Sequence, residues 1–165
     1  MAEEEDLLEN ARAYAFQHSL EIGERLGSGI HGIILIVETK ADPGKTALKT
    51  YYDRDPYQRE LAVYLRLREI RLSNIFGFHI PQLIDFDDHL MAIEMTTVRP
   101  PFVLDFAAAY LDFPPQFSDQ VWADWKATKQ EQFGSSWETV LLILNELKRY
   151  GIHMLDPSPS NIRIE

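Results

Sequence analysis

The sequence predicts an α+β fold in which a strand-rich first half is followed by a helical second half. Short apolar and β-branched runs, bounded by turn residues, dominate as far as about residue 97. The pair Pro100-Pro101 then interrupts the chain, and apolar residues recur at helical spacing beyond it. With 165 residues and no low-complexity linker, we predict one compact domain over residues 1–165, divided into a β-rich part at about 20–97 and a helical part at about 98–165.

Charge and composition restrict the classes of function. The formal net charge is −10 without a basic cluster, so neither nucleic acid nor an anionic membrane surface is expected as a partner. The chain has no cysteine, which excludes disulfides, thiolate zinc sites and cysteine nucleophiles. The acidic start of the chain is unlike a secretory signal, and no apolar run has the length of a membrane span. A cytoplasmic location is therefore expected.

Five segments have the composition of β-strands, since they are short, apolar or β-branched, and bounded by glycine, proline or charge. The predicted strands are Leu20–Leu26, Ile33–Val37, Thr46–Tyr51, Ile80–Phe86 and Leu90–Met95. The turn signal Ala41-Asp42-Pro43-Gly44 makes the second and third strands antiparallel, and Asp87-Asp88-His89 joins the last two as a hairpin. Alternation places Leu48 on one face of the third strand, with Ala47 and Lys49 on the other.

Helical spacing appears in both halves of the chain. Predicted helices cover residues 7–18, 55–72, 102–111, 118–132 and 136–149. Asp55 and Pro56 suit the start of the second helix, with Asp55 as its cap. Ser135 and Glu138 have the spacing of a capping box for the last helix, and Gly151 ends it. A short apolar strand over 161–164 is predicted to close the chain.

A glycine cluster lies between the first two predicted strands. The run Gly27-Ser28-Gly29-Ile30-His31-Gly32 fits the pattern G-x-G-x-x-G, whose glycines let a backbone approach a phosphate closely. A dinucleotide-binding fold would continue from these glycines into a helix, whereas here a strand follows. A strand on both sides is typical of the loop that covers ATP in kinases. A plain hairpin turn explains the glycines too, and for this motif alone we favour it.

Lys49 and Glu60 are the candidate charged pair of the first half. Lys49 on the third strand could reach phosphates beneath the glycine loop, although most strand lysines are simply solvated. Helical spacing places Glu60 beside Val63, Tyr64 and Leu67, in the middle of an apolar stripe. A carboxylate there needs a partner, and Lys49 is the natural one, unless Glu60 reaches water at the edge of the stripe.

A second candidate site lies in the loop after the last helix. Asp156 and Asn161 stand five residues apart, between the capped helix and the short final strand. Such a loop could set a carboxylate base next to an amide that ligates a metal ion. The alternative is a turn stiffened by Pro157 and Pro159, in which Asp and Asn side chains cap their own backbone.

Taken together and in this order, these motifs resemble the protein kinases and related small-molecule phosphotransferases, from about Leu20 to Ile164. The resemblance implies a kinase-like fold, with an antiparallel N-lobe carrying one helix and a shortened helical C-lobe. It implies that Gly27, Gly29 and Gly32 form the nucleotide loop. By the same resemblance Ile34 packs on the adenine, Ala47 and Lys49 match the Ala-x-Lys strand, and Glu60 pairs with the lysine.

The resemblance also assigns a hinge and a catalytic loop. Ile93-Glu94-Met95-Thr96 resembles the hinge, so the backbone groups of Glu94 and Thr96 would meet the adenine edge. Asp156 matches the catalytic base, and Asn161 matches the metal-binding asparagine. Met154-Leu155-Asp156 stands in place of His-Arg-Asp, and Ser158 stands where the family usually has lysine.

The end of the printed sequence is the largest departure from the family. Only residues 162–165 follow Asn161, so the Asp-Phe-Gly segment that supplies a magnesium-binding aspartate is not found there. Asn161 alone is a neutral ligand, whereas Mg²⁺ usually takes at least one carboxylate. Nothing in the sequence brings Asp85 or Asp87 to the site. Mg²⁺ binding and ordinary kinase turnover are therefore doubtful.

Three functions are compatible with these residues. The preferred hypothesis is a degenerate kinase-like domain, a binding or regulatory module that holds ATP weakly without ordinary phosphoryl transfer. The second is an active atypical kinase, and the third is a protein-interaction scaffold without nucleotide. A shortened C-lobe is expected to leave Trp122, Trp125 and Phe133 uncovered, which predicts a homodimer or another protein partner.

Overall fold

A computed structural model describes residues 3–165 and has an α+β architecture with mainly antiparallel sheets. Within these residues there are four α-helices: α1 (Glu4–Gln17), α2 (Arg54–Glu69), α3 (Asp119–Phe133) and α4 (Trp137–Arg149). The strands are β1 (Leu20–Gly29), β2 (Gly32–Thr39), β3 (Lys45–Tyr51), β4 (Asn74–Ile75), β5 (Phe78–His79), β6 (Leu83–Asp87), β7 (Ala92–Thr96), β8 (Phe102–Val103), β9 (Ala109–Leu111), β10 (Ile152–Met154) and β11 (Ile162–Arg163). No helix among the described residues is long and apolar enough to cross a membrane.

The largest sheet has the order β1-β2-β3-β7-β6 with antiparallel pairing throughout. Its strands correspond to the five predicted from the sequence, although β6 begins at Leu83, three residues later than expected. The predicted turn between β2 and β3 and the hairpin of β6 and β7 are both confirmed. The three central strands β2, β3 and β7 bury most of their residues, whereas the outer strands β1 and β6 have no fully buried residue and were predicted from their composition and flanking turns.

The two faces of this sheet have different neighbours. Helix α1 covers one face, where Leu7, Ala11 and Tyr14 share a core with Leu48 and the odd-numbered residues of β2. Ala47 and Lys49 lie on the other face, as predicted, together with Ile34 and α2. The face opposite α1 is thus the one that carries the candidate site residues.

Helix starts differ in detail from the predictions. Helix α2 begins at Arg54 after Asp53, so Asp55 lies within the first turn and is not the cap. Ser135 does not cap α4, because the short 3-10 helix Gly134–Ser136 leads directly into it. Ser136, which precedes α4, has helical angles of φ −84° and ψ −6°, whereas a capping serine needs extended backbone.

The predicted helix over 102–111 is wrong. The structure has β8, an irregular turn and β9 there. β8 pairs with β11 and, in parallel, with β5, while β9 pairs with β10. Asp105 and Asp112 both have a φ of 67°, in the left-handed region that ends regular helix. Pairing with strands distant in the sequence outweighed the local helical spacing.

Helices α3 and α4 pack beside these short strands. One hydrophobic cluster runs from Ala47 and α2 through Phe106 to α4 and Ile162, so both parts of the chain contribute to the same core. Phe133 is buried in it against Trp137, which contradicts the expectation that Phe133 is uncovered. Trp122 and Trp125 are half-buried. Self-association stays a prediction.

Candidate functional site

A cavity of about 680 Å³ lies between the large sheet and the segment that contains β8 and β11. Its apolar wall includes Leu26, Ile34, Ala47, Met95 and Leu104. Its polar wall includes Lys49, Glu60, Asp105, Thr96 and Ser160. The volume falls within the range of small-molecule sites, which typically combine apolar walls with a few converging polar groups.

The predicted ion pair between Lys49 and Glu60 is present. Lys49 Nζ lies 2.6 Å from Glu60 Oε2, and both residues are buried. The Tyr51 hydroxyl donates to the same carboxylate oxygen at 2.6 Å. Burial by itself would lower the pKa of Lys49, but the neighbouring carboxylates of Glu60 and Asp105 outweigh it and raise that pKa. Lys49 is therefore a fixed positive charge at one end of the cavity.

Asp105 is the residue that the sequence analysis missed. Its Oδ1 lies 3.1 Å from Lys49 Nζ, and its side chain is 38% exposed, so part of the carboxylate faces the cavity. Burial would raise the pKa of Asp105, but the Lys49 ammonium and the Ala107 backbone N–H more than offset this, and the pKa is lowered. Asp105 is thus a second carboxylate beside Lys49, in addition to the predicted Glu60.

Helix α2 fixes the segment that carries Asp105. Glu60 Oε1 accepts a hydrogen bond from the Phe106 backbone N–H at 3.2 Å, and Arg59 Nε donates to the Ala107 carbonyl at 2.9 Å. The Phe106 side chain is fully buried in the core. Two successive residues of α2 thus hold the two residues after Asp105, which sets the direction of its carboxylate.

A sequence signal for Asp105 existed. Val103 and Leu104 are apolar and precede Asp105-Phe106-Ala107, which resembles the Asp-Phe-Gly segment sought only after Asn161. The segment was not recognised because it precedes the Asp156 loop in the sequence, whereas in kinases the Asp-Phe-Gly segment follows that loop. The fold nevertheless joins the two, since β8 pairs with β11 and the Leu104 N–H donates to the Asn161 carbonyl at 2.9 Å.

The three glycines of the predicted loop lie in a β-hairpin. Gly27 pairs with Ile34, and Gly29 pairs with Gly32 at the end of the hairpin. A Cβ on Gly32 would overlap the carbonyl oxygen of Thr50, so close packing against β3 already requires a glycine there. Gly27 and Gly29 have open space around them. Packing therefore explains one glycine and leaves the other two unexplained.

The predicted hinge residues Glu94 and Thr96 lie on β7, and Thr96 lines the cavity. The Glu94 side chain points away from the cavity, where its carboxylate accepts hydrogen bonds from the hydroxyls of Tyr14 and Thr46 at 2.9 and 2.7 Å. Met95 reaches the cavity instead. The Thr96 N–H is already bonded to the Gln82 carbonyl at 2.9 Å, so it is not free for a ligand. The segment Thr97–Arg99 follows along the cavity wall.

The Asp156 loop is held largely by its own side chains. Asn161 Oδ1 accepts the Ser158 N–H at 2.6 Å, and Asn161 Nδ2 donates to the Asp156 carbonyl at 3.0 Å. The Asn161 side chain therefore stabilises the turn by bonding to its backbone, as in the alternative given for this loop in the sequence analysis. The Asp156 carboxylate bonds to Lys129 Nζ at 3.0 Å, and Ser160 from the same loop lines the cavity.

Metal ligation would have to use few protein groups. Residues 3–165 contain no cluster of three or more histidine and carboxylate side chains that could hold a metal ion. Mg²⁺ at a nucleotide is commonly held by one or two carboxylates together with phosphate oxygens. Asp105 fits such a role better than Asn161, whose amide oxygen is engaged by Ser158.

Comparison with known proteins supplies no relative for this site. No protein-family model matches the chain, and no curated protein matches it.

Proposed function

We propose that the chain is a kinase-like domain that binds a nucleoside triphosphate, expected to be ATP, together with a divalent cation. The observation that carries the proposal is the placement of Lys49 and Asp105 3.1 Å apart at one end of an apolar-walled cavity. A cation beside a carboxylate suits a magnesium triphosphate, because the lysine meets phosphate oxygens and the carboxylate meets the metal.

The cavity walls suit a nucleotide. Ile34, Ala47 and Met95 provide apolar surface on which a flat base can pack. Lys49 is held by Glu60, whose carboxylate also accepts a hydrogen bond from the Tyr51 hydroxyl. The net charge of −10 makes such a fixed cation important, since the protein as a whole repels a polyanion.

The large sheet and helix α2 support the resemblance to kinases, whereas the order of the later segments departs from it. The five-stranded antiparallel sheet with α2 behind it agrees with the expected N-lobe. The Asp105-Phe106-Ala107 segment would supply the aspartate that the family's Asp-Phe-Gly segment supplies. It lies before Asn161 in the chain, whereas the family has it after the asparagine. We infer a rearranged order of the same elements, because β8, which precedes Asp105, pairs antiparallel with β11, which follows the Asp156 loop.

Thermal unfolding with ATP tests this proposal. Mg²⁺-ATP at about 100 times its Kd should raise the Tm by roughly 5–10 °C, because a ligand that binds only the folded state stabilises it. Asp105→Asn should lose the magnesium-dependent part of the rise and keep the rise seen with ATP and a chelator. Asp85→Asn is the matched control, since Asp85 is exposed on the edge strand β6. No shift in the unaltered chain with ATP would contradict the proposal.

Phosphoryl transfer is the second candidate function, with Asp156 as the base. Asp105 favours it, because the objection to transfer was the lack of a carboxylate that could bind Mg²⁺. The hydrogen bond from Leu104 to Asn161 ties the Asp156 loop to the Asp105 segment. Asp156→Asn should lower the rate of transfer by about 100-fold or more, with a residual rate still measurable, and leave the ATP-dependent shift intact. Binding without any transfer would favour the regulatory module instead.

A further inference from the structure

Helix α3 buries a lysine, which is unusual for a surface helix. The buried residues of α3 are Lys129 and Phe133. An ammonium group is rarely taken out of water unless a carboxylate or hydrogen bonds compensate it. Apolar packing by itself would have favoured a methionine or leucine at position 129. The position therefore calls for an electrostatic reason.

The contacts of α3 supply that reason. Lys129 Nζ bonds to Asp156 Oδ1 at 3.0 Å and to Gln132 Oε1 at 3.4 Å. One helical turn earlier, Trp125 Nε1 donates to the Leu155 carbonyl at 2.8 Å. Two successive residues of the loop are thus held by α3, one by its backbone and the other by its carboxylate.

The loop is held from the opposite side as well. Asn161 Nδ2 donates to the Asp156 carbonyl at 3.0 Å, and Leu104 donates to the Asn161 carbonyl at 2.9 Å. The Asp156 side chain remains 64% exposed, and among residues 3–165 no donor is bonded to its second carboxylate oxygen. One oxygen of Asp156 is therefore fixed by Lys129 while the other faces solvent.

We propose that Lys129 is a positioning residue that orients Asp156 as the proton acceptor in phosphoryl transfer. The inference rests on the second function proposed above. In that step the acceptor oxygen bonds to the γ-phosphorus, and the bond from this phosphorus to the β–γ bridging oxygen breaks. ADP leaves, and the proton of the acceptor passes to the second oxygen of Asp156. Lys129 fixes the first oxygen of Asp156 and so sets the direction of the second.

Phosphate release from Mg²⁺-ATP, with water as acceptor, tests the assignment. Lys129→Met should lower kcat roughly 10- to 100-fold with the KM for Mg²⁺-ATP unchanged, since positioned general bases contribute at least this much. Lys129→Arg should stay within about threefold of the unaltered chain, because it keeps the charge. Lys126→Met is the matched control on the same helix, since Lys126 is exposed, and it should match the unaltered chain.

The outcomes separate this inference from the functions on which it rests. In an Asp156→Asn background, Lys129→Met should cause no further loss of kcat, because the two residues act as one unit. Unchanged kcat in Lys129→Met would overturn the inference and leave transfer standing. A low kcat in Lys129→Arg despite a normal Tm would also overturn the inference, because it would indicate that the shape of the side chain at position 129 matters more than its charge. An unaltered chain that binds Mg²⁺-ATP but releases no phosphate would overturn both the inference and transfer, with nucleotide binding retained.

Discussion

Two buried lysines each hold a carboxylate, but water reaches only one of the two pairs. Lys49 and Glu60 have side chains 6% and 1% exposed, whereas Lys129 and Asp156 have side chains 9% and 64% exposed. Removing Lys49 would leave the Glu60 carboxylate buried without its cation. Removing Lys129 would leave the Asp156 carboxylate without its cation but in contact with solvent. We therefore expect the Lys49–Glu60 pair to stabilise the fold, whereas the Asp156 carboxylate of the second pair is accessible to a ligand.

The two carboxylates, Glu60 and Asp156, also differ in how many hydrogen bonds they accept. Glu60 also accepts hydrogen bonds from the Tyr51 hydroxyl and the Phe106 N–H, so its charge organises three segments of the chain. Asp156 has Lys129 as its single side-chain partner among the described residues. The Glu60 carboxylate is therefore fixed by several partners, whereas the Asp156 carboxylate is fixed by one.

The largest expected effect comes from breaking the buried pair. Lys49→Met should lower the free energy of unfolding by about 3–5 kcal/mol, because Glu60 is left charged and uncompensated. Urea unfolding at neutral pH measures this. Lys45→Met, at the exposed start of the same strand, is the control and should change stability by no more than about 0.5 kcal/mol. A cost below about 1 kcal/mol for Lys49→Met would remove the distinction between the pairs.

Removing one hydrogen bond from the network should have a smaller effect. Tyr51→Phe deletes the donor at 2.6 Å from Glu60 and should cost about 1.5–3 kcal/mol, the range for hydrogen bonds to charged groups. Tyr52→Phe is the control, since no hydrogen bond joins the Tyr52 hydroxyl to another residue in the described range 3–165. Equal urea midpoints for the two variants would argue that the Tyr51 hydroxyl contributes nothing to holding Glu60.

Acid unfolding should reveal the lowered pKa of Asp105. A carboxyl whose pKa is lower in the folded state stabilises the fold above its unfolded value of 3.8, and that contribution is lost as pH falls through the folded value. Asp105→Asn should therefore be less stable than the unaltered chain at neutral pH, by about 1 kcal/mol or less because the side chain is partly solvated. The difference should shrink below about pH 4. A difference that is constant with pH would show that Asp105 has an ordinary pKa.

The smallest effect on stability is expected at the second pair. Lys129→Met should change the free energy of unfolding by about 1 kcal/mol or less, in either direction, because the carboxylate left behind is exposed and a buried ammonium is removed. Urea unfolding beside Lys49→Met makes the comparison direct. A loss above about 2 kcal/mol would mean that Lys129 holds the fold in the same way as Lys49.

Local patterns predicted the site where its residues lie on regular elements. Alternation along β3 put Lys49 and Ala47 on one face, and the apolar stripe of α2 implied a partner for Glu60. Both predictions depended on periodicity and on the cost of burying a lone charge, which are properties of short segments. The prediction for Glu94 concerned its backbone groups and stays a prediction, and its side chain bonds to Tyr14 of α1.

Sequence reasoning failed where contacts join distant segments. Asp105 lies in a stretch with helical spacing, yet pairing of β8 with β11 and of β9 with β10 made this region extended. Lys129 was not singled out from the sequence, because nothing near it in the chain shows that its helix packs against the Asp156 loop. Such pairings depend on the whole arrangement of the chain, and no window of neighbouring residues contains them.

The sequence by itself determined the α+β class, the five-stranded sheet and the pair of Lys49 with Glu60. Repeated apolar positions have one way to be buried, and a charge among them requires an opposite charge. Tertiary structure alone decided that Asp105 meets Lys49 and that Lys129 meets Asp156. Those contacts join segments far apart in the chain, and their geometry follows from how strands and helices pack together.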